Sequence, residues 1–257
     1  MKTFVEPLNE LKEYNTIKEL LKTGVQPIHI TGAIDSQKGH FIYALSEKFP
    51  VKVIVTYSES KAKEIYDDYR IFDKEVYLYP AKDIIFYNAD IHGNAIVRQR
   101  LQIIQKLIEK KPITIIMTID GGIDRVLPVE MIASKVIKLK TASVINVDEM
   151  REQLVHIGYE RVAQVEGPGQ FAVRGGILDI YPLTDDCPYR IELWDDEIDT
   201  IRSFDVESQR SIEQIDSITI YPATEIVLDP ARLSMGLKEI QKEKETYAAQ
   251  LKKEKKF

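Results

Sequence analysis

The pattern of apolar residues, which changes near residue 136, constrains this fold more than any other feature. Before that point, segments with helical spacing alternate with short β-branched runs. The predicted helices cover 8–21, 39–47, 58–72 and 95–110, and the predicted strands cover 27–31, 51–56, 76–79 and 113–118. Segment 51–56 is so apolar that we expect a buried strand. Strands and helices that alternate at this spacing predict a parallel α/β domain.

Short strands dominate the next part of the chain, from 136 to 222. We predict a strand at 136–139 and a helix at 148–156 that ends at Gly158, followed by short strands up to residue 222. This pattern indicates a compact α+β domain. A long, lysine-rich helix is predicted for 231–256. The expected division is therefore 1–135, 136–222 and 223–257, and we expect the chain to be the N-terminal piece of a longer protein.

Charge is distributed unevenly between these parts. The whole chain carries −6, whereas residues 136–222 contain eight Lys and Arg against 17 Asp and Glu, a net charge of −9. An acidic surface repels a phosphate backbone, so we do not expect DNA to bind there; a protein partner fits better. The apolar runs are too short to span a membrane, and no signal segment follows Met1. A single cysteine, Cys187, is typical of a reducing cytosol, so we predict a cytoplasmic protein.

Residues 31–39 lie between a predicted strand and a predicted helix, where a phosphate-binding loop of the form G-x-x-x-x-G-K-[ST] would occur. Gly32 and Lys38 match this motif. Gln37 replaces its second glycine, and Gly39 replaces the hydroxyl residue that binds magnesium. We interpret the segment as a degenerate loop that connects strand to helix; a weak nucleotide site is the alternative. The four histidines are scattered, so we predict no catalytic residue, cofactor or metal.

The segment 169–211 combines arginines and a tryptophan with many carboxylates, which is the composition of a protein-docking face. Strand alternation places Arg190, Glu192 and Trp194 on one side and the apolar Ile191 and Leu193 on the other. The apolar side takes the core, so Trp194 is expected to point outward. The alternative is that Arg174 and Arg190 pair with carboxylates such as Asp179 or Glu192 and only stabilise the sheet.

Several ordered motifs carry a family resemblance. They are Arg-Gly-Gly-Ile-Leu-Asp-Ile-Tyr-Pro at 174–182, Pro-Tyr-Arg at 188–190, Asp-Asp-Glu-Ile at 195–198 and Phe-Asp-Val-Glu-Ser-Gln-Arg at 204–210. With these motifs the chain resembles the bacterial transcription-repair coupling factor (Mfd) family in its UvrB-like N-terminal module. The relative UvrB differs in having an intact phosphate loop and a tyrosine-rich hairpin that clamps DNA. The corresponding stretch here, 83–98, is short and contains only Tyr87.

The resemblance implies a degenerate RecA-like parallel-sheet domain that is interrupted by a smaller α+β insert. It further implies that the insert recruits UvrA in nucleotide excision repair through Arg174, Arg190 and Trp194. The resemblance assigns RNA polymerase binding and ATP-dependent DNA translocation to parts of the protein outside this chain, which could also mask the docking face. A non-catalytic adaptor is therefore the leading hypothesis. The alternatives are a UvrB-like ATPase that handles DNA and a purely structural brace.

Overall fold

The computed structural model describes residues 5–82, 90–227 and 230–253. The first part of the stretch 83–98, with Tyr87, lies outside these ranges, and so does the end of the helix predicted for 231–256. The chain divides into two compact units, Met1–Glu130 and Met131–Phe257. Among the described residues, the first unit holds one three-stranded sheet and the second holds a six-stranded and a two-stranded sheet. The expected division into 1–135, 136–222 and 223–257 stays a prediction.

The first unit places helices around a parallel sheet. A short 3-10 helix, Glu6–Glu10, precedes its α-helices. These are α1 (Lys12–Lys22), α2 (Asp35–Ser46), α3 (Glu59–Tyr69), α4 (Asp90–Ile108) and α5 (Ile119–Ile123). The strands are β1 (Val51–Thr56), β2 (Val76–Tyr79) and β3 (Ile113–Thr118), and they pair in the order β1-β3-β2 with parallel register. The predicted alternation of helix and strand is confirmed for these elements.

The central strand β3 organises the core of this unit. Ile116 packs on one side of the sheet in a cluster with Tyr69, and Ile113 and Ile115 pack on the other side with Ile103. Covering both faces removes the apolar surface of β3 from water, which stabilises a parallel sheet.

Two details of the first unit differ from the sequence-based expectation. Residues 27–31 form no strand and stay outside the three-stranded sheet that the structure describes. Strand β1 forms as predicted but is not buried, because one of its two faces is left largely uncovered. Val51, Val53 and Val55 alternate along it and are each about half exposed.

The second unit combines helices with a two-stranded antiparallel sheet and a six-stranded sheet that is antiparallel except for the parallel pairing of its edge strand, Glu160–Arg161. The helix α6 (Val129–Ala133) leads into it, and α7 (Val147–His156) and α8 (Pro230–Lys253) follow. Its strands are β4 (Ile137–Lys140), β5 (Glu160–Arg161), β6 (Gln170–Arg174), β7 (Ile177–Ile180), β8 (Tyr189–Trp194), β9 (Glu197–Phe204), β10 (Ser211–Ile215) and β11 (Ser217–Ile220). Strands β11 and β4 pair with each other, and the remaining strands form one sheet in the order β10-β9-β8-β7-β6-β5.

The local sequence explains the ends of α7. The Asn146 side chain caps its first turn by accepting hydrogen bonds from the amides of Asp148 and Glu149. Gly158 follows the helix at φ +95°, in the left-handed region that favours glycine. A Cβ at this position would also meet Thr224 at 2.6 Å, so the close approach requires glycine for a second reason. The predicted helix and its stop at Gly158 are confirmed.

Candidate protein-docking site

One face of the six-stranded sheet carries mainly polar side chains. Residues directly opposite one another in the register share a face, so the pairings across β6 to β9 identify this set. We call its polar residues, together with Trp194, the polar face; they are Arg174, Asp179, Arg190, Glu192, Trp194, Glu197, Thr200 and Arg202. The opposite face carries Leu178, Ile191 and Ile201, which are almost completely buried. The predicted alternation along β8 is therefore confirmed.

The carboxylate of Asp179 lies at the centre of the polar face. Its side chain is almost fully buried, and Arg190 contacts both of its oxygens, with Nε 2.7 Å from Oδ1 and Nη2 2.9 Å from Oδ2. Arg174 donates from Nη2 to Oδ2 at 2.7 Å. Two arginines therefore compensate one buried carboxylate, and the hydrogen bonds to Asp179 raise the pKa of Arg190.

Arg190 is also fixed on its far side. Its Nη1 donates to the carbonyl oxygen of Gln209 at 3.1 Å, and its guanidinium lies over the ring of Phe204, 4.6 Å from the centroid. Gln209 adopts φ +58°, and its side-chain amide donates to the carbonyl oxygen of Val206 at 2.8 Å. Only 16% of the Arg190 side chain is exposed. Most of its hydrogen-bonding capacity is therefore used inside the domain.

Arg174 is more accessible than Arg190. Its side chain is 47% exposed, and its bond to Asp179 uses Nη2 alone. Because a guanidinium offers five donor hydrogens, Arg174 can still bind a partner carboxylate while Asp179 orients it.

Trp194 stands at the end of the same face, in the hairpin between β8 and β9. The turn residues are Asp195 and Asp196, with Asp195 at φ +59°. The tryptophan is 83% exposed, as the alternation of apolar residues predicts. The backbone of Trp194 is held in place by its pairing in the hairpin, and its large apolar ring is exposed to water. Such a ring can fill a pocket on another protein at little cost in conformational entropy.

The sequence left open whether the arginines would pair internally, and both of them pair with Asp179. Glu192 does not take this role; its Oε2 accepts a hydrogen bond from Thr200 at 2.9 Å. Sequence reasoning missed the part played by Gln209 and Phe204. Both lie in the motif at 204–210, but the positive φ of Gln209 and the stacking on Phe204 have no signature in the pattern.

In the degenerate phosphate loop, two backbone amides that a phosphate would need are already hydrogen-bonded within the chain. Gly32 has φ +81°, and α2 already begins at Asp35. The amides of Gln37 and Lys38 donate to the carbonyl oxygen of Ile34 at 2.9 and 3.2 Å. These two amides thus make the first hydrogen bonds of helix α2. In a phosphate loop, the corresponding amides point at the bound phosphate.

The lysine of this loop already has an anionic partner. Lys38 Nζ lies 2.7 Å from Asp35 Oδ1, and Lys61 Nζ lies 3.0 Å from Asp35 Oδ2. Hydrogen bonds from the two lysines lower the pKa of Asp35 to about 2. The carboxylate of Asp35, which is ionised at neutral pH as an ordinary aspartate is, competes with a phosphate for both cations.

Within residues 5–82, 90–227 and 230–253, no three His, Cys, Asp or Glu residues lie together in a way that could hold a metal ion. No helix among the same residues has the length and apolar character to cross a membrane.

Comparisons with known proteins support the resemblance found in the sequence. The family model for the UvrB interaction domain matches residues 137–226. The transcription-repair-coupling factor of Bacillus subtilis is 33% identical over 244 residues, which is 93% of this chain and 20% of that protein. Those of Staphylococcus epidermidis and Staphylococcus haemolyticus are 33% and 34% identical over 86% and 80% of this chain. The chain thus spans about a fifth of the length of these relatives, in their N-terminal part.

Proposed function

This chain contains a UvrB interaction domain and matches the N-terminal part of transcription-repair coupling factors, and from that premise we propose that it is an adaptor that recruits UvrA to stalled RNA polymerase. The docking surface is the polar face, with Arg174 and Trp194 as direct contacts and Arg190 as the residue that holds Asp179, which in turn orients Arg174. UvrA binding through this face starts the coupling of transcription to nucleotide excision repair.

The arrangement around Asp179 is the single observation that carries this proposal. A carboxylate that is almost fully buried fixes Arg190 and orients Arg174, whose side chain is 47% exposed. The exposed Trp194 lies on the same face and the same strand as Arg190. A rigid sheet that presents an oriented guanidinium and an aromatic ring has the two residue types that dominate binding energy in protein interfaces.

Charge supports a protein partner over a nucleic acid. Residues 136–222 carry −9, so a DNA backbone would meet repulsion over most of this domain. A partner surface with basic residues around a carboxylate would complement this acidic domain. The basic residues would face its negative charge, and the carboxylate could pair with Arg174.

The first unit serves as a degenerate RecA-like domain with a structural role. Its parallel order β1-β3-β2 is compatible with that fold, and the ion pair between Lys38 and Asp35 supports a loop without ATPase activity. In the whole protein, other segments bind RNA polymerase, move along DNA with ATP, and mask the polar face until DNA is engaged. The protein acts in the cytoplasm.

Charge reversal at Arg174 tests this function. We expect Arg174→Glu to weaken the binding of purified UvrA at least tenfold, measured by calorimetry, because the partner carboxylate would meet a like charge. Arg161→Glu is the matched control: Arg161 is also exposed, but it lies on the edge strand β5 outside the polar face. Equal UvrA affinity for both variants would contradict the proposed face.

A further inference from the structure

Val144 lies beside the β8–β9 hairpin although it belongs to no strand of the six-stranded sheet. It forms an isolated antiparallel bridge with Glu197. The Ile145 amide donates to the carbonyl oxygen of Asp196 at 2.8 Å, and the Ile198 amide donates to that of Ser143 at 2.9 Å. These bonds flank the pair of Val144 and Glu197, which is the arrangement in which opposite side chains come closest.

The bridge extends a row of side chains across the hairpin. Glu197 pairs directly with Trp194 on one side and with Val144 on the other. Residues directly opposite share a face, so all three side chains project in the same direction. We call Trp194, Glu197 and Val144 the hairpin row. Adjacent strands lie about 4.8 Å apart, which puts Trp194 and Val144 roughly 10 Å from each other.

Both apolar members of the hairpin row are open to solvent. Trp194 is 83% exposed and Val144 is 66% exposed. A single exposed apolar residue is ordinary, but two that flank one carboxylate in a fixed geometry form a patch with a defined spacing.

The segment that carries Val144 is fixed at both of its ends. It follows β4 directly, where the Thr141 amide donates to the carbonyl oxygen of Asp216 at 3.0 Å. It leads into α7, whose first turn the Asn146 side chain caps. Between these points the Ala142 amide donates to the carbonyl oxygen of Ile198 at 2.8 Å. Val144 is therefore pre-organised for binding, which lowers the ordering cost of a contact.

We propose that Val144 is a second apolar anchor of the docking surface and that the hairpin row determines which segment of UvrA it accepts. This inference rests on the proposed function. The matching segment has two apolar side chains about 10 Å apart, one for Trp194 and one for Val144. It also carries a Lys or Arg between them, because Glu197 lies in the middle of the row and Asp195 and Asp196 add negative charge at the turn.

UvrA binding to the full chain tests the second anchor. We expect Val144→Ala to weaken binding about fivefold and Val155→Ala to leave it unchanged. Val155 is the matched control because it is 51% exposed on α7, outside the hairpin row. Unchanged thermal unfolding of both variants would show that the fold is intact. We also expect Glu197→Lys to weaken binding about tenfold, since it would repel the basic residue of the partner.

The possible outcomes separate this inference from the proposed function. If Trp194→Ala weakens binding while Val144→Ala and Glu197→Lys bind like the wild type, the hairpin row is wrong and the adaptor function stands. If the wild-type chain does not bind UvrA, the adaptor function fails and the inference fails with it. Loss of affinity in both Val144→Ala and Glu197→Lys, with Val155→Ala unchanged, supports the row.

Discussion

Arg190 contacts both carboxylate oxygens of Asp179, at 2.7 Å from Nε and 2.9 Å from Nη2. This bidentate contact joins neighbouring strands β7 and β8 at directly opposite positions. The contact leaves only 16% of the Arg190 side chain exposed, whereas the Arg174 side chain is 47% exposed and Trp194 is 83% exposed. For the proposed docking face we therefore expect Arg174 and Trp194 to touch the partner and Arg190 to act as a positioning residue.

Removing the charge of Asp179 should destabilise the second unit. Asp179→Asn would leave Arg190, whose side chain is largely buried, without its counterion, and such a loss costs about 3 kcal/mol in the free energy of unfolding. Urea unfolding followed by circular dichroism measures this change. Glu192→Gln removes the same charge from the same face, where the carboxylate only accepts from Thr200, and should cost less than about 0.5 kcal/mol. Equal costs for the two variants would refute the central role of Asp179.

The contribution of Asp73 to stability should depend on pH. Burial acts to raise the pKa of its carboxyl, but hydrogen bonds from Thr114, Lys52 and the Glu75 amide together outweigh burial and lower the pKa. A lowered pKa in the folded state stabilises the protein above the unfolded value of about 3.9, and this stabilisation disappears as the pH falls through the folded value. The difference in melting temperature between wild type and Asp73→Asn should therefore be largest above about pH 5 and narrow below about pH 4.

The exposed pair of Lys63 and Asp67 supplies the control for this pH experiment. Asp67→Asn removes a carboxylate from an ion pair in which both side chains are more than half exposed, so its effect on the melting temperature should be small at every pH. If the difference in melting temperature between wild type and Asp73→Asn grew as the pH fell, it would contradict a lowered pKa for Asp73 in the folded state.

The degenerate phosphate loop should not bind nucleotide. Two of its amides are hydrogen-bonded to Ile34, and Lys38 is paired with Asp35. Calorimetry with ATP and magnesium should therefore give no saturable heat for the wild-type chain or for Lys38→Ala. Saturable binding by the wild type that Lys38→Ala abolishes would instead support a UvrB-like ATPase.

Sequence patterns predicted where the helices and strands of this fold form better than they predicted how deeply each one is buried. The apolar runs of β1 and β3 look alike, and both form strands. Only β3 is covered on both faces, while Val53 on β1 is 53% exposed. The difference comes from how far neighbouring elements cover each face and not from strand order, since β2 is an edge strand as well and its Val76 is only 4% exposed. Residues 27–31 show the same limit: an apolar run forms a strand only where a neighbouring strand pairs with it.

The candidate site was predictable to the extent that it follows from alternation. The period of two along β8 places Trp194 outside and Ile191 inside, and both positions are confirmed. The degree to which Arg190 is enclosed was not predictable, because it depends on Phe204 at the end of the next strand and on Gln209 in the loop after it. The position of Val144 beside the hairpin depends on a single isolated bridge, which has no periodic signal.

The most direct test of the central claim is the affinity of purified UvrA for the wild-type chain and for Trp194→Ala, measured side by side with Tyr57→Ala. Tyr57 is the control because it is an aromatic residue of similar exposure, 77% against 83%, in the first unit. We predict that Trp194→Ala loses at least tenfold in affinity with no change in stability, and that Tyr57→Ala binds like the wild type. Wild-type affinity for Trp194→Ala would contradict the account.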